Sequence, residues 1–136
     1  MKERPQLDPS ETHGRPKRIL VIDDETVIAD SVVDILSLHG WDAIAFYNGL
    51  DAIEFARKNC PDIVISDVVM PKPNGIETVL AIRELCHTAR ILLFSGQAAT
   101  TDILRDARAK GHQFELVQKP IHPDQLLKKI SSLKNS

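Results

Sequence analysis

Asp23 and Asp24 stand side by side, with Glu25 behind them, in the stretch RILVIDDET (18–26). Like charges repel, and a carboxylate set against an apolar run loses solvation, so a positive group belongs beside them. Three further residues share this setting at the end of a short apolar run. Asp67 follows IVIS (63–66), Ser95 with Gly96 follows ILLF (91–94), and Lys119 with Pro120 follows shortly after ELV (115–117). Asp23, Asp24 and Asp67 offer hard oxygen ligands. Mg²⁺ favours such ligands, often taking one or two carboxylates plus a phosphate, and Mn²⁺ accepts the same set. Lys119 supplies a point charge and Ser95 one hydrogen bond. An acidic cluster, a divalent ion, a lysine and a hydroxyl are the parts that place and neutralise a phosphoryl group. One of the carboxylates could itself be the nucleophile and form an aspartyl-phosphate.

These residues need a frame that brings strand ends together. Five β-branched or apolar runs, ILVI (19–22), AIAF (43–46), IVIS (63–66), ILLF (91–94) and ELV (115–117), alternate with segments whose apolar residues fall three and four apart. The first such segment carries Val27, Ile28, Val32, Ile35 and Leu36 and closes at Gly40, a residue suited to the position after a helix end. The second carries Leu50, Ile53, Phe55 and Ala56; the third Ile76, Val79, Leu80, Ile82 and Leu85. Ile103, Leu104 and Ala107 mark the fourth, and Leu126, Leu127, Ile130 and Leu133 the fifth. Trp41 and Asp42 blur the start of the second strand, and Glu115 interrupts the fifth. Five strand–helix units predict an α/β fold of three layers, a doubly wound (βα)5 with a parallel sheet. The unbroken runs ILVI and IVI suit strands buried on both faces. In such sheets ligands sit beyond the carboxyl ends of the strands, the rim to which all these residues map.

Composition narrows the alternatives. A chain of 136 residues with net charge −2 suits one core and argues against general nucleic-acid binding. No apolar run is long enough to span a bilayer, and the amino-terminal stretch has no apolar centre of a secretory signal. Residues 1–17 hold three prolines, many charges and few apolar side chains, which predicts a flexible tail before a domain over 18–134. Cys60 and Cys86 form no CxxC pair and are expected as two isolated, reduced thiols of a cytoplasmic protein. The five histidines show no metal-binding spacing.

The pieces VIDDE (21–25), DIVISDVVMPKPNG (62–75), LLFSG (92–96) and LVQKP (116–120), in that order and each at a strand end, resemble the receiver domain of two-component response regulators. The resemblance covers about residues 17–134. It implies the sheet order 2-1-3-4-5, Asp67 as phosphoacceptor, and Mg²⁺ held by Asp24 directly, Asp23 through water, Asp67 and the Val69 backbone carbonyl. It implies contacts from Ser95 and Lys119 to the phosphoryl oxygens and a cis Lys119–Pro120 peptide. The donor would be a phosphohistidine on a sensor histidine kinase or phosphotransfer protein. The output would pass through residues 98–134 to a protein partner or a second copy. The chain ends soon after the fifth helix, so no output domain, no direct DNA binding and no membrane association are expected, and the reading is a stand-alone receiver rather than a turnover enzyme.

Taken singly, each residue has a plainer role. Asp23 and Asp24 could cap the following helix, Asp67 could start a loop, Ser95-Gly96 could be a turn, and Lys119 could be a solvated lysine. Gly75 reads as a backbone necessity rather than a ligand contact. The chain also departs from the family. Leu116 stands where an aromatic residue is frequent in the family, and it offers no ring for the inward movement that usually reports phosphorylation. Phe114 shares its strand face but lies about 6–7 Å along. Val69 cannot orient an attacking water, whereas Gly96 leaves room for one. These departures keep two variants open, a pseudo-receiver that signals without phosphate and a phosphate sink. A phosphatase of the haloacid dehalogenase type is disfavoured, because its DxD spacing is absent from DDET (23–26).

Overall fold

The computed structural model describes residues 17–96, 100–112 and 114–134. The expected tail therefore lies outside the described residues except for Lys17, as do positions 98, 99 and 113 of the expected output surface. The elements run β1 (Arg18–Ile22), α1 (Thr26–Leu38), β2 (Asp42–Phe46), α2 (Gly49–Lys58), β3 (Ile63–Asp67), α3 (Gly75–Leu85), β4 (Arg90–Ser95), α4 (Thr100–Ala109), β5 (Glu115–Gln118) and α5 (Pro123–Lys134). All strands are parallel, in the order β2-β1-β3-β4-β5. The five alternating units expected from periodicity are all present, and Asp42 belongs to β2.

Alternation along each strand divides the core in two. Leu20, Ile22, Val64 and Leu93 face Ala52 and Ala56 of α2, Val79 and Ile82 of α3, and Ala107 of α4. Ile19, Val21, Ile63, Ile65, Leu92, Phe94 and Val117 face Ala29, Val32 and Leu36 of α1 and Leu126, Ile130 and Leu133 of α5. With helices on both faces, β1 is buried from Ile19 to Ile22 and β3 throughout, which is why ILVI and IVIS carry no polar alternation until the rim.

The helix ends follow local chemistry. Gly40, after α1, has φ +89°, a conformation open to glycine at low cost. Asn48 caps α2 by accepting from the Asp51 N–H. Asn74 and Glu77 form a reciprocal capping box on α3. The cap of α1 is Glu25, with no side-chain cap bond, so neither Asp23 nor Asp24 takes the capping role open to it in the sequence.

One expectation is overturned. Cys60 and Cys86 are disulfide-bonded, with Cα atoms 5.6 Å apart. The chain separates them by 26 positions, but α2 and α3 pack side by side and their carboxyl ends meet. Spacing along the chain carries no trace of that proximity.

Candidate functional site

Strand register assembles the rim. Ile22 pairs with Ser66, so the next residues, Asp23 and Asp67, leave adjacent strands side by side. Ser95 pairs with Gln118, so Lys119 leaves β5 one residue beyond Ser95, its N–H donating to the Ser95 carbonyl at 3.0 Å. Carboxylate oxygens of Asp23, Asp24 and Asp67 lie within 4.8 Å of one another. Asp23 is fully buried, Asp67 is 8% exposed and Asp24 is exposed. Lys119 reaches across the sheet to all but Asp24: its Nζ is 3.2 Å from Asp23 Oδ2, 3.3 Å from Asp67 Oδ1 and 3.5 Å from Glu25 Oε1. Asp23 Oδ1 accepts from the Glu25 N–H at 2.9 Å.

One ammonium does not satisfy this many acids. Burial pushes the Asp23 carboxyl above its ordinary range, and the Glu25 N–H and Lys119 pull against that without overcoming it. Burial, and after it the charge of Asp23, push Asp67 up as well. Burial alone would lower the Lys119 ammonium, but Asp23 and Asp67 together outweigh it and hold it above its usual value. The rim thus has a deficit of positive charge. Three clustered oxygen donors, two of them buried and under-neutralised, fit a hard divalent cation.

The backbone around Asp67 is tightly fixed. Ser66 Oγ donates to the Asp67 carbonyl at 2.9 Å, a buried bond that no sequence signal marked. The Gly75 N–H donates to the Val68 carbonyl at 2.9 Å, and a Cβ on Gly75 would run into the Asp67 carbonyl oxygen. Gly75 is therefore a packing requirement beneath the carboxylate. Gly49 was missed as a site residue. A Cβ there would meet Thr78 Oγ1 and lie 2.8 Å from Pro73 Cγ, so α2 braces the loop after Asp67 through Pro73. The only advance signal was the Asn-Gly pair that opens α2.

Gly96 carries a correction. A Cβ on it would lie 2.9 Å from Lys119 Cβ and 3.4 Å from its Cγ and Cδ. The space beside this glycine is filled by the lysine stem and is not open for an attacking water. Lys119–Pro120 and Lys72–Pro73 are both cis. Val69, 38% exposed, lies in the loop after β3. Leu116 and Phe114 are half-buried against the α2/α3/α4 side of the core, and the Phe114 ring stands 6.3 Å from that of His112. No helix among the described residues is long and apolar enough to cross a membrane.

The model of the response regulator receiver domain matches residues 19–131. The chain is 30% identical over 120 residues to the probable transcriptional regulatory protein TcrX of Mycobacterium tuberculosis, covering 88% of this chain and half of that protein's length. It is 29% identical to the chemotaxis protein CheY of Bacillus subtilis over 119 residues, 87% of this chain and 98% of the relative. Among solved structures, chemotaxis protein CheY4 of Vibrio cholerae superposes with a TM-score of 0.76 at 28% identity, covering 87% of this chain and 98% of that one. A response regulator receiver domain protein from Clostridium thermocellum gives 0.77 at 26% identity, covering 88% and 94%.

Proposed function

Because the chain belongs to the response regulator receiver domain family, we propose that it is a phosphoacceptor whose Asp67 takes a phosphoryl group from a phosphohistidine on a sensor kinase or phosphotransfer protein. Receiver domains are signalling modules rather than turnover enzymes. The observation that carries the reading is the meeting of three carboxylates, with Lys119 bridging two of them, at the carboxyl ends of β1, β3 and β5.

An Asp67 carboxylate oxygen attacks phosphorus, the P–N bond to the donor imidazole breaks, and an acyl phosphate forms. A Mg²⁺ held by Asp23, Asp24, Asp67 and the Val69 carbonyl would neutralise the acids and the transferring phosphoryl oxygens. Lys119 swings part of its charge from Asp67 to the phosphoryl group, and Ser95 donates a hydrogen bond to it. Gly75 and Ser66 hold the Asp67 backbone so that its carboxylate points to the rim.

Transfer changes the charge at the rim and shifts the equilibrium of its loops. With Leu116 in place of an aromatic ring, the shift passes through Ser95, Lys119 and the backbone of β5 to the surface over 98–134. A protein partner or a second copy reads that surface in a cytoplasmic setting.

The test is intact mass after incubation with acetyl phosphate and Mg²⁺. A gain of one phosphate, about 80 Da, that needs both Asp67 and the metal supports the reading. No gain from acetyl phosphate or from phosphohistidine donors, together with no Mg²⁺ binding, overturns it in favour of signalling without phosphate.

A further inference from the structure

At the opposite end of the sheet from the rim, we propose that Cys60 and Cys86 are a reversible redox modification site, closed by a low-molecular-weight disulfide, whose closure restrains the segment that carries Asp67. The site does not depend on the phosphoacceptor reading.

Three observations carry it. First, the Cα separation of 5.6 Å lies in the ordinary range for a bridge, so the fold brings the pair together without backbone movement. Second, the two ends differ in access. Cys60, just past α2, is exposed, whereas Cys86, at the end of α3, is 4% exposed. An incoming disulfide meets Cys60 first and Cys86 resolves. Third, the open form is also provided for. The Cys60 sulfur lies 3.9 Å from the Ala56 carbonyl and 3.8 Å from that of Leu85, and the Cys86 sulfur lies 3.6 Å from the Ala56 carbonyl. Once the bridge opens, these carbonyls are near enough for the freed thiols to donate to. The open form therefore needs no new acceptor from elsewhere in the fold.

The exchange balances without any other reactant. The Cys60 thiolate attacks a disulfide RSSR and releases one RS⁻, leaving a mixed disulfide. The Cys86 thiolate attacks the Cys60 sulfur and releases the second. The protein dithiol is oxidised, and RSSR is reduced to two RSH.

The consequence follows from the path of the chain. Cys60 to Cys86 encloses β3, Asp67, the loop with Val69 and Pro73, and all of α3. A bridge removes freedom from opened states of the loop it closes. It therefore suppresses local opening of this segment and leaves the amplitude of opening in α4, β5 and α5 unchanged.

The experiment uses the full chain, equilibrated with oxidised glutathione or with a phosphine reductant. Thiols are counted by maleimide mass shift, and backbone hydrogen exchange is followed by peptide. We expect no alkylation after oxidation, two alkylated thiols after reduction, and exchange over 61–85 at least about tenfold slower in the oxidised form. Cys60→Ser should exchange like the reduced protein under both conditions, and it alters only the exposed partner. A stable glutathione adduct on Cys60 with Cys86 still alkylatable overturns the proposal. So does equal exchange over 61–85 in a fully bridged protein.

Discussion

The two ends of the parallel sheet treat buried and half-buried charge in opposite ways. At the base, where the strands begin, Arg18 answers the local acids: its Nε lies 3.2 Å from Asp42 Oδ2, and its backbone N–H donates to Asp62 Oδ2 at 2.7 Å. Its guanidinium also stands 6.0 Å from the centre of the Phe55 ring. At the rim, Asp23, Glu25 and Asp67 gather around Lys119 with Asp24 close by, and the two most buried of them stay harder to ionise than ordinary carboxylates. Structural ion pairs close on themselves, whereas a site that receives a cation and an anionic group keeps its charges unbalanced until they arrive. Stability and function should therefore respond with opposite signs to similar substitutions at the two ends.

The largest effect tests how firmly the rim backbone is held. Gly75→Ala forces a Cβ into the Asp67 carbonyl and should cost about 3 kcal/mol, read as a lower urea midpoint at unchanged slope. An unchanged midpoint would mean that the loop yields freely and that the rim is not preorganised.

The charge deficit is tested next. In chelator at neutral pH, Asp67→Asn should raise the melting temperature by about 3–5 °C, corresponding to about 1 kcal/mol. Mg²⁺ should raise the melting temperature of the unaltered protein and do so less for the variant. The effect has a definite pH sense. Burial, reinforced by the Asp23 charge, raises the folded-state pKa of Asp67 above its unfolded value. The folded state then binds the proton more tightly, so this contribution is complete below the unfolded pKa and is lost as pH rises through the folded one. The gap between variant and parent should open over that window and close in acid. A fall in melting temperature for Asp67→Asn would show that Lys119 balances the rim after all.

Gly96→Ala has a narrower reach. It displaces the Lys119 stem, so phosphorylation by acetyl phosphate should slow by about fivefold, near 1 kcal/mol of barrier, while Mg²⁺ affinity holds within about twofold. Equal slowing with an unmoved lysine signal in NMR would break the link through Lys119. Smallest is the control at the base. Asp42→Asn should lower stability by about 0.5 kcal/mol, because that pair is partly open to solvent. Its sign, opposite to that of Asp67→Asn, is the sharpest form of the contrast between the ends.

Much of this molecule is local, and local features were legible. The strand–helix alternation follows from side-chain periodicity, and the positions of Asp23, Asp67, Ser95 and Lys119 follow from being next to apolar runs. Gly40 at the end of α1 is a single-residue conformational requirement, and the sequence pattern placed it correctly. The cap of α1 departs from the local pattern: Asp23 and Asp24 are the residue type suited to it, but the position before Thr26 falls on Glu25, which makes no side-chain cap bond.

What the chain determined alone is which residue types stand at the end of each strand, since alternation and burial are written within a few neighbours. Only the folded molecule decided which of them touch. Strand register set Asp23 beside Asp67, β5 carried Lys119 over Gly96, and the packing of α2 on α3 joined Cys60 to Cys86. Distances between strands and between helices depend on packing across the whole core, and no spacing along the chain encodes them.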